Sequence, residues 1–474
     1  MENDPEKPIN LRRPLWVAGV LLLTLTLALF VGLWFPPLTA LRAKSGPPQA
    51  SATPEPLKQV VGVVIDETTQ APNPRVTVRM GQVETKTDSE GRFILEPGQQ
   101  ATSMLLIKAP GYERRQVPPT SAPMTIALRK QVVKAAYLTY YGVGDKTIRS
   151  RVFSLLEKTE LNAVVIDVKG DRGLIPYRTQ VPLALEAGAQ GPVIIKEFDQ
   201  MLADLKAKGI YTIARIVVFK DNVLANAKPE LAVIDTRTGK PWIDNEKLAW
   251  VDPSREEVWN YTIAVAKEAA AKGFDEIQFD YVRFPTDGKL GAAQYSKPNT
   301  KEIRVASIRG FLERAQKELG PTGVFLAADL FGYTAFNESD TDIGQRLEDL
   351  APYLDYICPM AYPSGYHLGL PRYRNPVQHP YEVVFETVKK AQERVAWAGY
   401  PVKVRPWIQD FRDYAFDRRI FGVKEVRAQQ KGAEEAGGTG WMLWNPRNDY
   451  TVDALKPKVN TAADKTGENG RLPR

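Results

Sequence analysis

The heptapeptide Phe279-Asp280-Tyr281-Val282-Arg283-Phe284-Pro285 carries the strongest structural signal in this sequence. It follows the alternating residues Glu276-Ile277-Gln278, which predict a core-facing strand. The proline ends the strand because it has no N–H to donate. In a barrel of parallel strands, the carboxyl ends of the strands face the loops where chemistry takes place. The stretch therefore predicts a reactive carboxylate at Asp280, or, as the alternative, a salt bridge between Asp280 and Arg283 that only fixes a loop.

Strand and helix patterns alternate on both sides of this heptapeptide. The predicted strands are 135–143, 162–169, 211–219, 276–285, 325–332, 355–363, 403–411 and 440–445. The predicted helices include 196–208, 255–272, 301–319, 382–396 and 424–436. Eight strands over about 315 residues fit a (β/α)8 TIM barrel of the α/β class, which we place at residues 131–455. A doubly wound open sheet is the alternative, but it does not require eight repeats.

Two local patterns in the barrel region make specific predictions. Residues 220–252 form a long connection that contains Trp242 and Trp250, and connections of this length are usually functional. We expect this connection to be a wall or lid over the mouth of the barrel. The sequence Ser254-Arg255-Glu256-Glu257 matches a capping box, and Gly273 has the position of a residue that ends the following helix.

Charged and aromatic side chains gather at the predicted carboxyl ends of the strands. They are Asp167, Lys169, Arg215, Asp280, Arg283, Asp329, Tyr362, Trp407, Gln409, Trp444 and Asn445. Glycoside hydrolysis uses two carboxylates that flank the bond, and aromatic faces accept sugar rings. We therefore expect Asp280 and Asp329 to be catalytic and the other residues to bind substrate. The alternative for each tryptophan is packing inside the barrel, and the alternative for Asp167 with Lys169 is a structural ion pair.

The composition argues against several classes of protein. The chain has 474 residues, which suggests roughly two or three domains, and a hydrophobic content of 43% that is ordinary for globular proteins. The net charge of +7 is spread without a long basic cluster, so nucleic-acid binding is not expected. Because the chain has one cysteine, Cys358, and two histidines, we expect no Cys/His zinc site, and we predict neither a metal nor another cofactor.

The amino-terminal region has the features of a membrane anchor. Residues 15–35 are uncharged and mostly apolar, long enough to cross a ~30 Å hydrocarbon core, with Trp16 and Trp34 near the two ends. We predict a transmembrane helix that follows a short tail at residues 1–14 and leaves the rest of the chain outside the cytoplasm. A cleaved signal peptide is the alternative. Residues 36–56 are rich in Pro, Ser and Ala and are predicted to be a linker.

Residues 57–130 contain short alternating strand patterns separated by turn residues. The predicted strands are 60–65, 75–78, 92–95, 104–107 and 124–128, which together predict a small antiparallel β-sandwich. The turn at residues 87–91, the following Arg92-Phe93 and the later Gly111-Tyr112 resemble the carboxypeptidase regulatory-like (transthyretin-like) family. That resemblance implies a non-catalytic module. At the other end of the chain, residues 456–474 are predicted to be a polar tail.

The barrel region resembles an uncharacterised bacterial family described as glycoside hydrolases. The resemblance rests on motifs at residues 164–169, 250–254, 279–285, 328–332, 359–363 and 441–445. The family is distantly similar to the alpha-amylase and alpha-galactosidase barrels, in which the nucleophile ends the fourth strand. The resemblance therefore implies that Asp280 is the nucleophile. Assigning the acid/base role to Asp329 is an inference from its position at the end of the fifth strand.

These observations favour a membrane-anchored, extracytoplasmic glycoside hydrolase that acts on a polysaccharide or cell-wall glycan at the cell surface. The alternatives are a non-catalytic carbohydrate or cell-wall binding barrel and a structural envelope protein. We expect Arg283 to favour the ionised form of Asp280, and we expect Asp329, which has no cation beside it in the sequence, to be the proton donor. The sequence leaves the glycan, its linkage and the stereochemical outcome open.

Overall fold

The structure is a computed structural model that describes residues 58–98 and 104–458. The predicted membrane anchor, the predicted linker and most of the predicted carboxyl-terminal tail lie outside the described residues. Within these two ranges, no helix has the length and hydropathy needed to cross a membrane. The membrane anchor therefore stays a prediction from the sequence.

Seven short strands form two small sheets that share one apolar core. They are β1 (Val60–Asp66), β2 (Thr77–Met80), β3 (Val83–Lys86), β4 (Arg92–Leu95), β5 (Leu105–Lys108), β6 (Arg115–Val117) and β7 (Met124–Leu128). One sheet has the order β4-β1-β7 and the other has the order β3-β2-β5-β6. The prediction of purely antiparallel pairing is wrong for β1 and β7, which are parallel. The chain crosses between the sheets before β7 joins β1, so no hairpin fixes the direction of β7. The resemblance to the carboxypeptidase regulatory-like family stays a prediction.

Eight parallel strands then close into the predicted barrel, which confirms the fold class of this region. The remaining strands are β8 (Val133–Leu138), β9 (Ala163–Lys169), β10 (Tyr211–Val217), β11 (Ile234–Asp235), β12 (Glu276–Asp280), β13 (Ala293–Gln294), β14 (Phe325–Phe331), β15 (Tyr356–Met360), β16 (Lys403–Val404), β17 (Trp407–Gln409) and β18 (Gly440–Trp444). The barrel order is β8-β9-β10-β12-β14-β15-β17-β18, and β18 pairs back onto β8. The short strands β16 and β17 act as one strand interrupted at Arg405-Pro406, where Pro406 has no N–H to donate. The short strands β11 and β13 pair with each other in loops outside the barrel wall.

Helices surround the barrel, and all five predicted helices are present with shifts of a few residues. The helices are α1 (Tyr140–Gly144), α2 (Lys146–Lys158), α3 (Pro182–Ala187), α4 (Phe198–Ala207), α5 (Asn222–Ala227), α6 (Glu256–Lys272), α7 (Lys301–Leu319), α8 (Leu347–Leu350), α9 (Pro380–Trp397) and α10 (Val423–Glu435). The predicted capping box of α6 is wrong because the Ser254 hydroxyl donates to Asp252 instead of capping the helix. Gly273 ends α6 as predicted, with a φ of 101° that favours glycine.

Several barrel strands are shorter than predicted, and in two of them a local side-chain hydrogen bond accounts for the end of the strand. The first strand ends at Leu138, since the Thr139 hydroxyl accepts a hydrogen bond from the Gly142 amide and begins α1. The fourth strand ends at Asp280, whose Oδ1 accepts from the Tyr281 amide at 2.6 Å, while Tyr281 has a φ of 50° in the left-handed region. This turn directs the chain out of the sheet immediately after Asp280.

The two small sheets contact the amino-terminal end of the barrel. Lys108 forms an ion pair with Asp355 at 2.7 Å, and the Gly111 amide donates to the Tyr356 hydroxyl at 2.9 Å. Both barrel residues lie where β15 begins. The opposite end of the barrel, where the strands finish and the long loops start, is therefore not covered by these sheets.

Candidate active site

Arg215 on β10 joins three carboxylates at the carboxyl end of the barrel. Its guanidinium lies 2.7 Å from Asp167, 3.0 Å from Asp171 and 2.6 Å from Asp280. The Arg215 Nε also donates to Asp280 at 2.9 Å, so one guanidinium holds this carboxylate through two hydrogen bonds. Arg215 is completely buried, and its ion pairs with the buried Asp167 and Asp280 fix the positions of those two carboxylates.

Asp329 on β14 is a buried carboxyl group with one unpartnered oxygen. Its Oδ1 accepts a hydrogen bond from the Trp407 indole at 2.7 Å, whereas its Oδ2 has no hydrogen-bond partner in the part of the chain that the structure describes. Burial raises the pKa of Asp329 well above its usual value, and the nearby charge of Asp280 raises this pKa further. Both effects favour the protonated form of Asp329, which is the form that can donate a proton.

The backbone register places the two aspartates side by side. Phe279 of β12 is paired with Ala328 of β14, so Asp280 and Asp329 are the next residues on neighbouring strands. Such strands lie about 4.8 Å apart. Burial also raises the pKa of the nearby Asp167 to about 6, although Arg215 acts in the opposite direction. The neighbouring charge of Asp171 also raises the pKa of Asp167.

Aromatic rings line the same end of the barrel. The Tyr137 ring stacks on Trp444 with centroids 4.2 Å apart, and it meets Trp407 edge-on at 6.0 Å. The Tyr137 hydroxyl donates to Asp167 at 2.6 Å. Tyr362 lies 6.3 Å from Trp444. The aromatic residues and the carboxylates thus form one contiguous cluster.

The structure brings together most of the site residues that the sequence predicted. They are Asp167, Arg215, Asp280, Asp329, Tyr362, Trp407 and Trp444. Lys169 is not among them, because it forms a fully buried ion pair with Asp221 and lies over the Tyr261 ring of α6. A register shift between β9 and β10 pairs Lys169 with Ile216, and this shift turns Lys169 towards the helices. The predicted substrate contact by Lys169 is therefore wrong.

Arg283 also has surroundings different from those predicted. Its guanidinium lies 5.0 Å from the Trp250 ring and 4.6 Å from the Phe331 ring, and it donates to the Phe284 carbonyl. The cation that pairs with Asp280 is Arg215, so the predicted pairing of Asp280 with Arg283 is wrong. The left-handed turn at Tyr281 directs Arg283 away from the strand and towards the Trp250 and Phe331 rings. Burial lowers the pKa of Arg283 there.

The connection at residues 220–252, which was predicted to be a wall or lid, contributes Trp250 to the surroundings of Arg283. Trp242 and Trp250 are both buried, and the Trp250 indole donates to Asp244 at 3.0 Å. The Trp250 ring meets Tyr281 edge-on at 5.8 Å. The connection is therefore packed against the loop that follows the Asp280 strand.

Gln409 and Asn445 use their amide groups inside the protein. The Gln409 Nε2 donates to the Ser364 hydroxyl at 2.8 Å, and its Oε1 accepts from the Ser364 amide at 3.1 Å. The Asn445 Nδ2 donates to the Asp410 and Asp449 carbonyls. The structure therefore gives both residues a role in holding loops, rather than an amide group aimed into the mouth.

Two members of the cluster were missed in the sequence. The signal for Tyr137 is the alternation of β8, in which Val133, Ala135 and Tyr137 face the interior of the barrel. Asp171 lies in the loop after β9, where no sequence pattern marks it. Both residues line a cavity of about 300 Å³, together with Tyr141, Asp167 and Trp444.

In the described ranges, no group of three or more His, Cys, Asp or Glu residues is arranged to hold a metal ion.

Comparisons with known proteins identify a family and several solved structures that are similar to parts of this chain. A family model described as "Putative glycosyl hydrolase domain" matches residues 135–450. A hypothetical protein from Ruminiclostridium thermocellum has a similar solved structure, with 40% identity over 41% of this chain and 96% of that chain and a TM-score of 0.35. The PgaB (BpsB) glycoside hydrolase domain from Bordetella bronchiseptica has 14% identity over 69% and 99%, with a TM-score of 0.48. A chitinase from Chromobacterium violaceum has 13% identity over 72% and 100%, with a TM-score of 0.41. Comparison with curated proteins finds no match.

Proposed function

This chain belongs to the "Putative glycosyl hydrolase domain" family, and from that premise we propose that it hydrolyses glycosidic bonds in a polysaccharide or cell-wall glycan. Asp280 and Asp329 act as its paired carboxylates. One observation carries the proposal: the unpartnered, buried Oδ2 of Asp329 lies beside a second carboxylate that is held by Arg215. A site that only binds sugars has little use for a buried carboxyl group whose pKa is raised by a neighbouring carboxylate.

The two aspartates take different roles in the proposed reaction. Asp280 attacks the anomeric carbon and forms a new C–O bond, while the glycosidic C–O bond breaks and the proton of Asp329 moves to the leaving oxygen. Asp329, now ionised, takes a proton from a water molecule that attacks the same carbon and releases Asp280. Arg215 holds Asp280 in position and stabilises its charge before the attack and after its release.

The position of the two aspartates on adjacent strands supports this double displacement. Retaining glycosidases place their two carboxyl groups about 5–5.5 Å apart, whereas inverting enzymes need about 6.5–9.5 Å to admit a water molecule between them. Asp280 and Asp329 follow a paired position on adjacent strands, and they are close enough for the charge of Asp280 to raise the pKa of Asp329. We therefore infer that the product keeps the anomeric configuration of the substrate.

Hydrolysis can be tested directly with purified full-length protein. We expect it to release reducing ends from at least one member of a panel that contains amylose, xylan, glycol chitin, chitosan and carboxymethyl cellulose. An Asp280→Asn preparation, purified in parallel, controls for contaminating enzymes. If the parent protein releases no more reducing ends than this variant from any of these polymers, the proposed function is wrong.

We also propose that residues 15–35 anchor the chain in a membrane, with the barrel outside the cytoplasm. The support is the uncharged apolar run with tryptophans near both ends and basic residues before it. Protease added to intact cells is expected to remove the barrel, as detected with an antibody against it, while a cytoplasmic marker protein stays intact. A barrel that is protected until the cells are lysed would contradict this topology.

A further inference from the structure

A row of aromatic rings leads from the carboxylate cluster to the protein surface. Trp444 lies 6.3 Å from Tyr362, Tyr362 lies 5.5 Å from Phe411, and Phe411 lies 6.2 Å from Tyr414. We call Trp444, Tyr362, Phe411 and Tyr414 the aromatic row. Trp444 and Tyr362 are half-buried, whereas Tyr414 is 53% exposed.

The inner end of the aromatic row is part of the candidate active site. Trp444 lies 5.3 Å from Trp407, whose indole donates to Asp329. The Arg215 guanidinium, which holds Asp280, lies 5.1 Å from the Trp444 ring. The row therefore continues the site outward by successive ring contacts that begin at the candidate active site.

Buried polar groups hold the loop that presents the outer rings. Asp413 is 1% exposed and accepts a hydrogen bond from the Ser364 hydroxyl at 2.6 Å, as well as from backbone amides of its own loop. Burial opposes the ionisation of Asp413, but these hydrogen bonds outweigh it and lower its pKa to about 2. Gln409 adds a hydrogen bond to the Phe411 carbonyl. Phe411 and Tyr414 are thus carried by a preorganised loop.

Tyr414 presents much of its side chain to solvent. Its ring is nearly parallel to Phe411, with an interplanar angle of 7°, yet 53% of the residue faces solvent. Aromatic faces bind the C–H faces of sugar rings, and a tyrosine ring gives this contact at a low cost in conformational entropy. A surface ring joined to the cluster by successive ring contacts is therefore suited to a sugar unit distant from the bond that is cleaved.

We propose that the aromatic row binds successive sugars of one glycan chain, so that the substrate is a polysaccharide or long oligosaccharide rather than a disaccharide. This inference rests on the proposed function, because it assumes that a glycosidic bond is cleaved at the inner end of the row. Contacts with C–H faces require no charge on the glycan. The row therefore selects for chain length, while the cluster around Arg215 selects the sugar at the cleaved bond.

The test compares Tyr414→Ala with two control variants in the full-length protein. The probes are the polymer from the panel that the parent protein cleaves and the 4-nitrophenyl monoglycoside of the same sugar. Tyr414→Ala is expected to raise KM for the polymer roughly fivefold to tenfold and to leave kcat/KM for the monoglycoside unchanged. Tyr414→Phe keeps the ring and should match the parent protein. Trp397→Ala removes another aromatic ring, 86% exposed at the end of α9 and outside the row, and should also match the parent protein.

A second measurement does not depend on turnover. Affinity electrophoresis through gels that contain the polymer should retard the Asp280→Asn protein, and adding Tyr414→Ala should reduce this retardation. Equal effects of Tyr414→Ala on polymer and monoglycoside, or no effect on the polymer, would overturn the inference while leaving the proposed hydrolysis intact. A parent protein that cleaves no polymer would overturn the proposed function, and the inference with it.

Discussion

Replacing Asp280 by asparagine is expected to lower kcat by about three to four orders of magnitude, with little change in KM. Asparagine keeps the shape of the side chain but cannot attack the anomeric carbon as a charged nucleophile. The buried Arg215 would still be paired with Asp167 and Asp171, so the variant should fold. Steady-state kinetics on the polymer and thermal unfolding, measured on the same preparation, separate loss of chemistry from loss of structure.

Asp171 provides a matched control for this substitution. It contacts the same guanidinium at 3.0 Å, but its side chain is 41% exposed and lies in a loop beyond the strand end. Asp171→Asn should therefore change kcat by less than about tenfold. A folded Asp280→Asn variant that cleaves the polymer at nearly the parent rate would contradict the proposed role of Asp280 in hydrolysis. A non-catalytic carbohydrate-binding barrel would then be the better description.

Replacing Asp329 by asparagine is expected to separate substrates according to their leaving groups. Hydrolysis of the polymer should fall roughly 10²-fold to 10⁴-fold, because its leaving oxygen needs a proton. The nitrophenolate or dinitrophenolate of an aryl glycoside leaves without protonation. The rate at which such a substrate glycosylates the enzyme should therefore be much less affected. Kinetics with a series of aryl glycosides, plotted against the acidity of the leaving phenol, measure this difference.

The pH dependence of activity is a second test of Asp329 as the proton donor. Burial and the charge of Asp280 raise the pKa of Asp329, so the donor is protonated below this raised pKa and is lost as the pH rises through it. The parent protein should therefore lose activity on the polymer on the alkaline side. The hydrogen bond from Trp407 lowers the pKa of Asp329, so Trp407→Phe should move this alkaline limb to higher pH. If Asp329→Asn slowed all substrates equally and kept the alkaline limb, Asp329 would not be the proton donor.

The barrel could be predicted from the sequence because its strands are buried on both faces. Such strands are short apolar runs in the sequence, and helical patterns lie between them. All eight runs became strands. The errors lie at strand ends, where one side chain outweighs the pattern: Thr139 caps a helix, and the turn at Tyr281 stops the fourth strand. Such local competition has no period, so it leaves little trace in a single sequence.

The candidate site was predictable to the extent that side chains at strand ends face the mouth. This rule selected Asp280 and Asp329, because regular pairing brings them to the same end of the barrel. It failed for Lys169 and Arg283, since a register shift and a left-handed turn each redirect one side chain. The contact between Arg215 and Asp280 depends on long-range geometry, and no local pattern encodes it.

The most direct test of the account is to trap the covalent intermediate predicted at Asp280. The full-length protein would be treated with the 2-deoxy-2-fluoro-glycosyl fluoride of the sugar it cleaves, because this reagent forms the glycosyl-enzyme but slows its hydrolysis. Peptide mass spectrometry is predicted to find one added sugar, attached to Asp280. A label on another residue, or an unlabelled protein that releases product of inverted anomeric configuration, would contradict the central claim that Asp280 is the nucleophile of a retaining pair with Asp329.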